Sequence, residues 1–503
     1  MLFRSALLMA AGLVVCAAPA AAIEEVVVEL PLLENSLKVN LSELSDPAAL
    51  MQGNSDLAEL DRASNGELGR KLLKLFNQPV PVSFRQLAES SVGSPLLEQT
   101  LLLVSSFGTV EGRSPDLSGE TLKAALEKAS AASPDGQPTL LQLMQAIPGE
   151  RVRLNLSQAQ IVLARMLRQR RRAERLMADV VPAAAAPTHA DGSSVQLSRS
   201  SLVVAHRSEP LELVVIQPST GTNGRLVVIS HGLWDSPASF EGWGRQLASR
   251  GYTVVMPRHP GSDQQQQHEV LTGKAPPPSP SELGLRALDI SAINDSVAKG
   301  SVAGLSGVDA SRVVVIGHSW GATTALQLAG LRPDDSSLQA RCNAIDDPDR
   351  NLSWTLQCSW ISAVDQAAIA DPRVIAVAAV SPPVSLLFPR GSSKPMSARV
   401  LLVSGTHDWV VPPDPEAVDP FERAAVMGNQ LVLVQGGDHF NLRPGATADG
   451  GVLAPLLLQW TETAYQAGEA VKPASGAPPL LPPGAWGSSS KPMADVTPRI
   501  RAQ

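Results

Sequence analysis

VVVIGHSWGATTAL, residues 313 to 326, asks three conformations of fourteen residues. Val313, Val314, Val315 and Ile316 are β-branched and favour a buried strand. Gly317-His318-Ser319-Trp320-Gly321 follows at once, and the run Ala322-Thr323-Thr324-Ala325-Leu326 then continues in helix-compatible residues. Strand, sharp turn and helix form the context in which G-x-S-x-G holds a serine hydroxyl clear of a sheet. Gly317 and Gly321 lack the Cβ atoms that would clash in so tight a turn. Ser319 is therefore the candidate nucleophile. A Gly/Ser turn without chemistry also fits the pentapeptide, so partners have to be found downstream and in order.

The residues around this stretch alternate between short β-branched runs and helical patterns. Leu202–Ala205, Leu211–Ile216, Leu226–Ile229, Tyr252–Met256, Val313–Ile316, Val374–Val380, Val400–Val403 and Leu431–Val434 read as about eight strands, with helices over Phe240–Ser249 and Leu285–Ala298. Such βα alternation predicts an α/β fold: a mostly parallel sheet with helices on both faces. On the elbow and this alternation the chain resembles the α/β-hydrolase superfamily over roughly residues 200–466.

The resemblance implies that an acid and then a histidine follow the nucleophile, each just beyond a strand. Val400–Val403 runs into Ser404-Gly405-Thr406-His407-Asp408-Trp409-Val410-Val411-Pro412, which is similar to the family's G-x-x-D-x-x-V-P pattern and makes Asp408 the candidate acid. Leu431–Val434 leads to Gly436-Gly437-Asp438-His439-Phe440, where His439 is the candidate general base. His407 and Asp438 are adjacent decoys, and His318 fills the variable elbow position without a required role. Of the two oxyanion donors, Trp320 N–H follows the nucleophile. The second is expected from Leu233 in Ser230-His231-Gly232-Leu233-Trp234, a segment that resembles the HG-x loop of esterases and lipases, with His231 shaping the loop.

HGLWDS and GHSWGA also resemble segments of proteins labelled dienelactone hydrolases and of platelet-activating-factor acetylhydrolase-like lipases. True dienelactone hydrolases use cysteine, so Ser319 favours an esterase or lipase-like activity on a small-molecule or lipid ester. A non-catalytic lipid- or pigment-binding module and an amidase are the alternatives. No cofactor is implied, and no metal-ligand spacing is visible.

Ahead of the α/β region, Glu25–Leu30 and Ser36–Leu41 read as paired strands. Asp56–Arg62, Glu67–Phe76, Ser83–Glu89, Pro95–Val104, Glu120–Lys128 and Pro138–Ala146 carry apolar residues at helical spacing. Residues 23–150 are thus expected to form a small, mainly helical domain. Its GNSDLAELD and FNQP segments resemble a domain of unknown function that precedes α/β-hydrolases in a mostly cyanobacterial family. Gln158–Val180 reads as one long helix with Arg165, Arg168, Arg170, Arg171, Arg172 and Arg175 around it. A basic amphipathic helix can make peripheral contact with anionic lipid, and a solvated face is the other reading. Residues 182–194 read as a linker, Pro333–Asp371 as a cap insert, Gln264–Gln267 as a polar loop, and residues 471–503 as a flexible tail.

Length and composition agree with this plan. At 503 residues and 44% hydrophobic content the chain exceeds one ordinary core. A net charge of -7 argues against a nucleic-acid partner, which needs basic surface to displace counterions. Arg4, the apolar run Ala6–Ala18 and small residues at Ala20 and Ala22 read as a signal peptide over residues 1–22, hence a secreted or periplasmic protein. A membrane anchor competes with that reading. Cys16 after Leu13-Val14-Val15 approaches a lipobox, except that Val15 stands where a small residue is expected. Cleavage leaves Cys342 and Cys358, which in an oxidising compartment can pair and add roughly 3 kcal/mol by loop closure, or otherwise remain buried thiols.

Overall fold

The structure, a computed structural model, describes residues 22–502 except 30–35, 106–107, 112–116, 181–194, 337, 390–395, 425–427, 445–448, 469–472, 474–476, 483–484 and 489. The signal peptide, Ala22 apart, and the linker lie outside the described residues. The chain divides into two units. One runs to Pro81 and resumes over Phe107–Leu156; the other comprises Val82–Ser106 and Ser157 onward.

The first unit holds more strand than its sequence suggests. Strands β1 (Glu25–Glu29) and β2 (Ser36–Asn40) form the expected hairpin. The unit also contains β3 (Gly108–Val110) and β4 (Arg151–Asn155), which complete a sheet of order β2-β1-β4-β3. β4 lies parallel to β1, so Arg153 falls beside Glu29 and Glu111 and pairs with both. Helices start where side chains cap them: Ser55 Oγ accepts the Ala58 N–H, and Thr139 and Gln142 form a reciprocal capping box. Leu41, Leu44, Leu50, Leu57 and Leu73 meet in this unit's own core.

The second unit is built on a ten-stranded sheet. Its strands are β5 (Val195–Leu202), β6 (Leu211–Pro218), β7 (Arg225–Ser230), β8 (Thr253–Pro257), β9 (Asp309–His318), β10 (Val374–Val380), β11 (Arg399–Gly405), β12 (Gln430–Val434), β13 (Ala485–Ser488) and β14 (Lys491–Asp495). They lie in the order β13-β14-β12-β11-β10-β9-β7-β8-β6-β5, and β8 through β12 pair in parallel. Along β9, Val313 and Val315 point into the core on one face and Val314 and Ile316 into the core on the other, the period-2 alternation of a strand covered on both sides.

Several sequence expectations need correction. The segment expected to be a flexible tail supplies β13, β14 and a helix at Thr497–Arg501. Met493 and Val496 are buried, and the Gln435 N–H donates to Pro492 O, so a Pro- and Ser-rich composition concealed an apolar strand one place in from the sheet edge. The first strand of the domain covers Val195–Leu202 rather than Leu202–Ala205; its polar residues suit a sheet edge. The glutamine run opens a helix, Gln264–Leu271, capped by Asp263.

The helices α1 (Val82–Ser91) and α2 (Pro95–Ser105) had been grouped with the N-terminal domain, but they belong to the second unit. There α1 packs on the Gln264–Leu271 helix, and α2 packs on a helix of the cap insert. The expected single helix over 158–180 is broken into α3 (Leu156–Arg168) and α4 (Arg171–Met177). Asp414, far away in sequence, accepts the N–H groups of Arg172 and Ala173 and so starts a new helix, while Gln169 is drawn to the carbonyl of Arg350. Ala173, Leu176 and Met177 then enter the core, and Arg172 pairs with Asp419 and Glu422.

Helices α5 (Glu282–Ala298) and α6 (Trp320–Leu328) pack on β9. The cap insert carries α7 (Ser353–Ser359) and a Cys342–Cys358 disulfide with Cα atoms 5.7 Å apart. Trp354 and Trp360 of this insert are buried in the main core.

Candidate active site

Ser319 sits between β9 and α6 with φ 54°, ψ -122°, a conformation rare outside glycine and held here by its surroundings. Its N–H donates to Val380 O. The flanking glycines are required by space: a Cβ on Gly317 would lie 2.1 Å from Gly321 O, and one on Gly321 would lie 2.1 Å from Ser230 O.

Asp408 and His439 come together at the ends of β11 and β12. His439 Nδ1 donates to Asp408 Oδ2 at 3.0 Å, while Asp408 Oδ1 accepts the N–H groups of Val410 and Val411 at 3.0 and 2.8 Å. Both residues are buried, so the carboxylate is fixed by backbone on one oxygen and faces the imidazole with the other. With Nδ1–H directed at Asp408, the lone pair of a neutral imidazole lies on Nε2. Ser319 and His439 line one cavity of about 490 Å³, although no hydrogen bond joins them directly. His407 and Asp438 do not enter that cavity. His318, for which the sequence suggested no role, donates from Nε2 to His439 O at 3.0 Å and lies against the His439 ring at 4.8 Å between centroids.

The loop after β7 approaches from the other side. Gly232 lies so near the elbow that a Cβ there would be 3.2 Å from Ser319 Cβ. Among the described residues, the N–H groups of Leu233 and Trp320 have no acceptor, whereas Trp234 N–H is taken by Ser262 O. His231 is a loop-shaping residue: Nδ1 donates to Gly232 O at 2.8 Å and Nε2 accepts from His259 N–H at 3.1 Å. His259 in turn donates from Nδ1 to Asp289 and accepts from Ser230 Oγ.

The remaining cavity wall is apolar. Leu96 and Leu97 of α2, Leu87 of α1, Leu352 and Leu356 of the cap region, and Leu233, Val411 and Phe440 line it, and no charged side chain does. Trp354, Trp360 and Ile361, considered as pocket residues from sequence, are absent from this lining. Nothing in the sequence marked α1 and α2 as parts of this wall, because their patterns specify helices and not the surface on which they dock. Among the described residues no cluster of His, Cys, Asp and Glu could hold a metal ion, and no helix is long and apolar enough to cross a membrane.

Three buried histidines are kept neutral. Burial, aided by the Arg286 charge, holds His231 well below the usual imidazole range and brings His259 down to about 4; burial and the neighbouring His439 hold His318 well below it. The unfolded chain takes up protons near pH 6.5 that the folded chain refuses, so stability is intact above that pH and is lost as pH falls from 6.5 toward 4. The urea midpoint is expected to drop steeply over this interval, each histidine contributing at most about 1.4 kcal/mol per pH unit. An unchanged midpoint between pH 7 and pH 5 would contradict this.

A crossover sheet, a strained serine at its strand-to-helix turn and a carboxylate–histidine pair at the ends of β11 and β12 define the α/β-hydrolase class. The comparisons agree. A family model described as alpha/beta hydrolase fold matches residues 225–345, which carry Leu233, Ser319 and Trp320. A second, described as alpha/beta hydrolase of unknown function (DUF1400), matches residues 21–155. The chain is a member of the α/β-hydrolase superfamily. Comparison with curated proteins finds no match. Neither matching description names dienelactone hydrolases or platelet-activating-factor acetylhydrolases.

Proposed function

We propose that the chain is a secreted or periplasmic serine hydrolase that cleaves carboxylic esters with an apolar acyl group through an acyl-enzyme. The observation that carries this reading is the shared cavity: Ser319 at its strained turn and His439 backed by Asp408 open into the same apolar space of about 490 Å³. That volume suits a drug-sized, uncharged ligand. The Cys342–Cys358 disulfide supports an oxidising compartment.

In this reading Ser319 Oγ attacks the acyl carbon as His439 Nε2 takes its proton. Asp408 holds the ring and stabilises the imidazolium. The N–H groups of Leu233 and Trp320 receive the oxyanion. His439 then gives the proton to the departing alkoxide, and water, activated by the same imidazole, releases the acid.

The test is labelling with a fluorophosphonate probe beside Ser319→Ala. Labelling of the wild type that vanishes in the variant supports an activated serine. A folded protein that takes up apolar ligands and never labels is a binding module instead. The pocket makes a second prediction. Leu356→Trp, which enlarges a side chain of the cavity lining, is expected to lower kcat/KM for p-nitrophenyl octanoate by about 10- to 100-fold while sparing the acetate ester. Equal losses on both esters would place the acyl chain elsewhere.

A further inference from the structure

A fully buried cation lies under both arms of the oxyanion site, and the chemistry above leaves it unused. Arg286, on α5, has no solvent exposure. Its Nη2 donates to the His231 carbonyl, and its guanidinium carbon stands 4.9 Å from the centroid of the Trp320 ring. Nε and Nη1 find no hydrogen-bond partner. None of the nearby carboxylates hydrogen-bonds to it: Asp289 is engaged by His206, Arg207 and His259, and Glu282 reaches Arg207 through Oε1 while its Oε2 has no partner. Burial pushes the Arg286 pKa down to about 9, which still leaves it charged at neutral pH. A buried guanidinium ordinarily sits on carboxylates, because an unpaired charge in a core is costly.

Its two contacts fall on the two segments that carry the oxyanion donors. The peptide that presents Leu233 N–H has Gly232 O at its other end, and that oxygen is held by His231 Nδ1. The peptide before it, with the His231 carbonyl, is held by Arg286. Successive peptide planes are thus fixed, and the direction of Leu233 N–H with them. On the other side the guanidinium rests on the side chain of Trp320, whose own N–H is the second donor.

We propose that Arg286 is a positioning residue of the oxyanion hole. It ties the Ser230–Trp234 loop to Trp320 so that the two N–H groups converge, and it sets a positive charge behind them that favours the negative charge developing in front. Because the guanidinium itself is fully buried, its charge acts with little screening. The assignment rests on the reading of Ser319 as nucleophile.

The experiment compares wild type, Arg286→Met and Arg286→Lys for p-nitrophenyl butyrate kinetics, the rate of phosphonylation by a fluorophosphonate, and thermal unfolding. Methionine keeps apolar contact with Trp320 and removes donor and charge; lysine keeps the charge. Arg286→Met is expected to lose about 100-fold in kcat with a parallel loss in phosphonylation rate and KM within about threefold, and Arg286→Lys about tenfold. A packing role alone would lower the unfolding temperature and leave kcat of the folded variants within threefold of wild type, which overturns the assignment. If Arg286→Met does not fold, the same criterion applied to Arg286→Lys decides. A wild type that neither labels nor turns over esters removes the serine-hydrolase reading and this assignment together, an outcome distinct from active wild type with unaffected variants.

Discussion

Asp408→Asn is expected to lower kcat by about four orders of magnitude with KM and thermal stability nearly unchanged. The geometry explains why so small a change is so severe. Asp408 Oδ1 already accepts the N–H groups of Val410 and Val411. An asparagine would keep its carbonyl oxygen there and turn its amide NH2 toward His439 Nδ1. The imidazole would then carry its proton on Nε2, where it can no longer receive one from Ser319. His439→Ala is expected to lose at least as much. Steady-state kinetics on one good ester, with circular dichroism as a control for folding, is sufficient; an Asp408→Asn enzyme within tenfold of wild type would remove Asp408 from the proposed triad.

The second large effect is on folding. Gly321→Ala places a methyl group 2.1 Å from Ser230 O, and the obstacle is the backbone of Ser230 and His231. The turn cannot relax without moving β7 or α6, so a loss of about 3 kcal/mol or more in unfolding free energy is expected, with phosphonate labelling lost as well. Gly284→Ala is the matched control. It lies in α5 with its nearest neighbour at 3.4 Å from the new carbon, so it is expected to be neutral or mildly stabilising. Similar unfolding midpoints for the two variants would show that the elbow tolerates a side chain.

What could be read from the sequence depended on how local its cause was. Ser319, Asp408 and His439 each follow a β-branched run directly, so strand ends and turn residues mark them within a few positions. The strands from β6 to β12 were legible for the same reason, whereas β5, with its polar edge residues, was placed too late in the chain. Other features have distant causes. Asp414 breaks the basic helix at Gln169, yet it lies more than two hundred positions downstream. Arg286 reads as one polar residue on an amphipathic helix until the fold sets it against His231 and Trp320. The tail misled because proline and serine obscure so short an apolar stretch as Met493–Val496. Glu416 is invisible in sequence too: buried, it accepts hydrogen bonds from Asn351, Ser353, Gln357, Val384 and Ser385, joining the cap region to the segment after Asp408.

The placement of α1 and α2 has a consequence for how the molecule is made. Both helices leave the ribosome early, and Ser319 follows Ser105 by about 210 residues (319 minus 105), while β13 and β14, which complete that end of the sheet, come almost last. At synthesis rates of about 5 to 20 residues per second, Leu87, Leu96 and Leu101 wait roughly 10 to 40 s before the elbow exists. During that time the nascent chain has apolar helices without their seat and a sheet without its last two strands. Maturation of the cavity is therefore deferred until translation is nearly complete, which suits the export proposed above for this chain.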